Sequence, residues 1–145
     1  MTTKLCVLLI EDDDVDVETI YRVAPRYVDE LEIVRVSTAR RAVIAMLAEG
    51  DKPLLNLPYV VVLDLNLPGM SGVEFLQEVR TDARLAQSPV FVLTGSNDER
   101  LKRQALQHHV LAYVSKSKFT QDVNRCLRLL LLYLRHRRIY TKTTA

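Results

Sequence analysis

Four clusters of residues in this chain have types and spacing that suit chemistry. Glu11-Asp12-Asp13-Asp14 follows the apolar run Leu5 to Ile10. Asp64 follows the run Tyr59-Val60-Val61-Val62-Leu63, and Thr94 follows Pro89-Val90-Phe91-Val92-Leu93. Lys116 comes two residues after Leu111-Ala112-Tyr113-Val114. Each run has the length and the β-branched content of a strand buried on both faces. A polar group at the carboxyl end of such a strand belongs at the rim of an open parallel sheet, where ligands bind. If the strands are neighbours, Glu11, Asp12 and Asp64 converge there. Unit charges ~4 Å apart repel by roughly 4 kcal/mol at an intermediate dielectric, so the acids need a counter-charge. Oxygen-only ligands favour a hard divalent cation, Mg²⁺ in particular. A hydroxyl, an ammonium and a divalent metal are also what an acyl phosphate on Asp64 needs around its oxygens. Taken singly, each acidic segment reads as solvated turn residues and helix caps. Acid pair, Asp, Thr and Lys, in that order and at four separate strand ends, is a much more specific pattern.

Helices must alternate with these strands to bring their ends together. The spacing predicts a helix from about Val15 to Ala24, ended or kinked at Pro25. Glu32–Val36 reads as a further strand, followed by a helix from about Thr38 to Glu49 with Gly50 as its stop. Pro68-Gly69 forces a turn, and Ser71 with Glu74 has capping-box spacing for a helix to about Arg80. Ser96 with Glu99 repeats that spacing ahead of a helix to about Gln107, and a long last helix is expected from about Thr120 to Arg138, before a frayed tail. Five βα units with short connections imply an α/β fold, a doubly wound parallel sheet.

With these residues the chain resembles the receiver domain of two-component response regulators, over about residues 4 to 138, with 139–145 as a C-terminal tail. Within that family it is most similar to the single-domain regulators of bacterial and cyanobacterial phytochromes. The cues are Asp64-Leu65-Asn66-Leu67-Pro68-Gly69, Asp82-Ala83-Arg84-Leu85 and Lys116-Ser117. The resemblance implies a flavodoxin-like sheet of five strands in the order 2-1-3-4-5, with five helices. It implies that Asp64 is the phosphorylation site and that Thr94 and Lys116 assist the transfer. It further implies that Glu11 and Asp12, with Asp64 and the backbone carbonyl of Asn66, hold Mg²⁺, and that Thr94 and Tyr113 form the switch. Gly95 would leave the approach to the phosphate uncrowded. The implied partners are a sensor histidine kinase of the bacteriophytochrome kind as donor and an unspecified downstream protein. Three departures from the family pattern stand out. Ser117 occupies the usual place of proline, His108-His109-Val110 replaces the usual glycine, and a longer loop runs from Asp51 to Pro58.

Composition is ordinary for a globular domain: 145 residues, 48% hydrophobic, 26% charged, net charge +2. No nucleic-acid footprint dominates; the basic residues Arg135, Arg137, Arg138 and Lys142 are explained by the dipole at a helix C-terminus. No signal peptide is read, and Leu129 to Leu134 is far too short to span a bilayer, so a cytoplasmic protein off the membrane is expected. Cys6 and Cys126 read as reduced structural thiols. Among other functions, an aspartate-nucleophile phosphatase needs a second acid two residues after the nucleophile, where this chain has Asn66. A flavin or nucleotide module needs a phosphate loop after the first strand, where this chain has four acids. A phosphoacceptor signalling protein is expected, not an enzyme in the usual sense.

The last helix carries one further expectation. Val123, Leu127, Leu130, Leu131 and Leu134 form a stripe at helical spacing that should face the sheet. Leu129, Leu132 and Tyr133 then fall on its other sides, where an apolar patch favours a homodimer.

Overall fold

The computed structural model describes residues 5–27, 30–48, 59–116 and 119–144. Among these residues five strands alternate with five α-helices: β1 Leu5–Ile10, α1 Asp14–Val23, β2 Leu31–Val36, α2 Ala39–Leu47, β3 Tyr59–Leu63, α3 Gly72–Thr81, β4 Val90–Thr94, α4 Glu99–Leu106, β5 Ala112–Ser115 and α5 Phe119–Thr144. All pairings are parallel, and the strand order is β2-β1-β3-β4-β5, as the resemblance implies.

The near-continuous apolar runs are explained by two cores. Side chains alternate across a strand, so Leu8, Ile10, Val61, Leu63 and Val92 face one layer, packed with Ala42 of α2, Phe75 and Leu76 of α3 and Ala105 of α4. Val7, Leu9, Val60, Val62 and Phe91 face the other, packed with Ile20 of α1 and with Val123, Leu127, Leu130 and Leu131 of α5. β1 and β3 lie centrally with helices on both faces, so their carboxyl ends open onto a common rim.

Several boundaries differ from the sequence expectations. Asp98, not Ser96, caps α4: its carboxylate accepts from the N–H groups of Arg100 and Leu101. Ser96 instead accepts from the N–H of Asp98 at 3.2 Å, tightening the turn before the helix. α1 ends at Val23 with Ala24 as its cap, just before Pro25 as expected, and the chain continues as a 3₁₀ turn, Ala24–Tyr27. α5 runs to Thr144, past Arg138, where its end was expected. β5 begins at Ala112, after His109 takes a left-handed φ of 56°. That conformation explains the departure at 108–110. The turn requires a positive φ and uses histidine where the family pattern has glycine, at a cost of about 1 kcal/mol. Arg80 braces the segment, donating to the carbonyls of His108 at 2.7 Å, Ala86 at 3.0 Å and Ser88 at 2.7 Å. The expected stop at Gly50, the loop Asp51 to Pro58 and Ser117 lie outside the described residues.

Candidate phosphoacceptor site

Asp64 is the first residue beyond β3 and is only 7% exposed. Its N–H donates to the Ile10 carbonyl at 3.1 Å, which ties it to the end of β1. Its placement depends on the start of α3. Ser71 caps that helix, accepting from the N–H of Glu74 at 3.2 Å, and Gly72 donates to the Leu65 carbonyl at 3.1 Å. A Cβ at Gly72 would lie 2.6 Å from the Leu65 Cα and 2.7 Å from the Asp64 carbonyl oxygen. Only glycine allows the helix to press this closely on the segment that carries Asp64.

The hydroxyl of Thr94, last in β4 and fully buried, donates to Asp64 Oδ1 at 2.7 Å. The same hydroxyl accepts from the N–H groups of Leu65 at 3.4 Å and Ser96 at 3.3 Å. Asn66 is exposed, and its N–H donates to Asp64 Oδ1 at 3.2 Å. A Cβ at Gly95 would meet nothing within 4 Å, so the space beside Thr94 is open.

Lys116 follows β5 and is held there by its N–H on the Thr94 carbonyl at 2.8 Å. Its buried ammonium donates to Glu11 Oε1 and to Asp16 Oδ2, the latter at 2.8 Å, and lies 3.7 Å from Asp64 Oδ2. Among the described residues, carboxylate oxygens of Glu11, Asp16 and Asp64 lie within 4.8 Å of one another. Sequence reasoning missed Asp16. It lies in the first turn of α1, and only the docking of that helix over the ends of β1 and β3 brings it in. Asp12 is exposed and outside this trio.

The electrostatics follow from burial. Glu11 is 1% exposed, and burial pushes its carboxyl up to about 9. The neighbouring Asp64 carboxylate adds to that rise, and Lys116 opposes it. For Lys116, burial pulls downward, but Asp64, Asp16 and Glu11 outweigh it, so the ammonium is held above its ordinary value. Among the described residues, Glu11 Oε2 is buried with no hydrogen-bond partner. An orphaned carboxylate oxygen beside two more acids is an all-oxygen donor set suited to a small hard cation.

Tyr113, in β5, is partly buried, and Lys102 Nζ lies 5.3 Å from its ring centroid. Burial, followed by the charges of Glu99, Asp64 and Asp98, raises its phenol. The three α5 residues expected in a dimer patch divide. Leu132 is 59% exposed. Leu129 and Tyr133 are partly buried against the second core. Tyr133 meets Phe91 edge to face, with ring centroids 6.0 Å apart. The exposed apolar patch is therefore smaller than the spacing predicts. No helix among the described residues is long and apolar enough to cross a membrane.

The family profile described as the Response regulator receiver domain matches residues 7–127. The Response regulator Rcp1 of Synechocystis sp. is 29% identical over 117 residues, covering 81% of this chain and 80% of that protein. Among solved structures, the phosphorylated cyanobacterial phytochrome response regulator RcpA superposes with a TM-score of 0.76 at 27% identity, covering 88% of this chain and 91% of that one. The Mn²⁺-bound form of Rcp1 gives a TM-score of 0.70 at 27% identity, covering 86% and 88%.

Proposed function

We propose, for a chain that belongs to the response regulator receiver domain family, that Asp64 accepts a phosphoryl group from a sensor histidine kinase and that the modified protein signals to a partner. The observation that carries this reading is the setting of Asp64: a carboxylate at the end of a central strand, with the Thr94 hydroxyl at 2.7 Å and the Lys116 ammonium at 3.7 Å. In the transfer, an Asp64 oxygen forms a bond to phosphorus as the bond from phosphorus to the donor's imidazole nitrogen breaks, and that nitrogen keeps the electron pair. Lys116 is placed to neutralise charge on the arriving phosphoryl oxygens. Thr94 is placed to move its hydrogen bond from Asp64 to the new group, and Tyr113 to respond to the space it leaves.

The donor set fits Mg²⁺, which Glu11 and Asp64 would hold together with Asp12 and the Asn66 carbonyl; Asp16 stands beside them. Bound there, the ion supplies positive charge opposite the transferring oxygens. The likeness to RcpA and Rcp1 supports a phytochrome-type kinase as donor. The same reading keeps a homodimer through α5, with Leu132 as its exposed centre and Leu129 and Tyr133 at its edge. It also keeps a cytoplasmic location and no nucleic-acid partner.

The test is incubation with Mg²⁺ and either acetyl phosphate or a phosphorylated phytochrome-type kinase, followed by mass spectrometry. A single added phosphoryl group on Asp64, absent from Asp64→Asn, is expected. Stable labelling of Asp64→Asn at another residue refutes the assignment.

A further inference from the structure

Arg35 lies on the edge strand β2, far along the sequence from every acid the motif identifies. The pairing of β1 with β2 ends at Ile10 and Val36, with one more bond from the Glu11 N–H to the Val36 carbonyl at 3.1 Å. Beyond that point β2 gives way to Thr38, the cap of α2. The Arg35 side chain supplies donors where the ladder stops. Its Nε donates to the Glu11 carbonyl at 3.0 Å. Its Nη2 donates to the Asp12 carbonyl at 3.4 Å and to Asp14 Oδ1 at 2.9 Å. The main chain of Glu11 is thus gripped by β2 at both its N–H and its C=O, while its carboxylate reaches Lys116. Asp14 opens α1, the helix that delivers Asp16 to the same lysine.

We propose that Arg35 is a positioning residue for the divalent-cation site. It sets the path of the Glu11–Asp14 turn, so that the Glu11 carboxylate is preset beside Asp64 for a single ion, with Asp16 held next to them. The inference rests on reading the acid cluster as a Mg²⁺ site. Two effects of the guanidinium oppose each other. Its charge repels a cation from the turn, and its fork of hydrogen bonds orders the turn for that cation. The Arg35 side chain is 27% exposed, so solvent weakens the first effect, whereas the planar, multiply bonded fork is well suited to the second.

The experiment measures Mg²⁺ dissociation constants by calorimetry for wild type, Arg35→Ala and Arg35→Lys. Amide exchange over residues 11–16 is followed in the metal-free proteins. Arg35→Ala is expected to bind Mg²⁺ about tenfold more weakly, the usual loss when an outer partner of a ligand is removed, and to exchange faster over the turn. Arg35→Lys keeps the charge but not the fork, so it should also bind more weakly than wild type. Arg35→Ala binding as tightly as wild type or more tightly, as a purely repulsive charge requires, overturns the proposal. So does Arg35→Lys matching wild type. A wild type that binds no Mg²⁺ removes the cation site itself and this proposal with it, and the wild-type titration distinguishes that failure from the others.

Discussion

Replacing Lys116 with methionine should expose how far this fold depends on one ammonium. The lysine side chain is 4% exposed and serves Glu11, Asp16 at 2.8 Å and Asp64 at 3.7 Å. Methionine keeps much of the volume and removes the charge, leaving the acids without their cation. Breaking a buried pair from one side costs about 3–5 kcal/mol. For a domain of this size that corresponds to a Tm lower by roughly 10–15 °C. The pH dependence follows from Glu11. Its carboxyl lies at about 9 in the folded, metal-free protein against an ordinary 4.5. The fold therefore holds a proton that the unfolded chain releases, and stability falls as pH rises through that window. Lys116 is raised above its ordinary value, so its own contribution is fully present below that value and is lost only in strong alkali. Without the lysine, Glu11 is pushed higher still, so the decline should continue further into alkali. Mg²⁺ should act in the opposite sense: it binds the deprotonated acids, so its stabilisation grows with pH and should be larger in Lys116→Met than in wild type. The assay is thermal unfolding by circular dichroism at pH 6 and 8.5, with chelator and with Mg²⁺. A variant within 2 °C (about half a kcal/mol) of wild type at pH 8.5 in chelator refutes the argument, as does one that Mg²⁺ does not rescue.

Other perturbations test separate parts of the structure. Thr94→Ala should still be phosphorylated at Asp64 but should lose most of the phosphorylation-dependent gain in partner affinity; equal affinities for the phosphorylated forms, measured by calorimetry, would refute the switch. Gly72→Ala should lower stability by about 1–3 kcal/mol, the usual cost of overpacking, and slow phosphorylation by acetyl phosphate, because the new methyl lies against the Asp64 carbonyl and the Leu65 Cα. His109→Gly should gain about 1 kcal/mol in urea denaturation by relieving the left-handed φ of 56°. Light scattering at tens of micromolar should show a dimer for wild type and a monomer for Leu132→Glu, with or without phosphorylation; a monomeric wild type in both states removes the dimer.

Most of the strands were legible because burial on both faces demands apolar runs, and the polar residues that end those runs are conspicuous; their order in the sheet came only with the family resemblance. Asp64, Thr94 and Lys116 could therefore be placed on one rim from the chain alone, with Glu11 beside them. Local rivals were harder to separate. Ser96 and Asp98 can both cap α4, and the choice fell to Asp98, whose carboxylate reaches two N–H groups at once. On α5 the stripe that meets the sheet is broader than the helical spacing suggests. Cys126 lies within the buried face, and Leu129 and Tyr133 tuck partly beneath it, because a sheet edge accepts a wide helical face and Phe91 offers Tyr133 a ring to rest on. Asp16 and Arg35 carry no motif. One arrives from a helix and the other from an edge strand, and each meets Glu11 only once α1 and β2 have docked on β1. Strand ends are a property of local hydrophobic pattern and can be read in one dimension. The partners of a buried charge are decided by whichever side chains the assembled elements bring within reach.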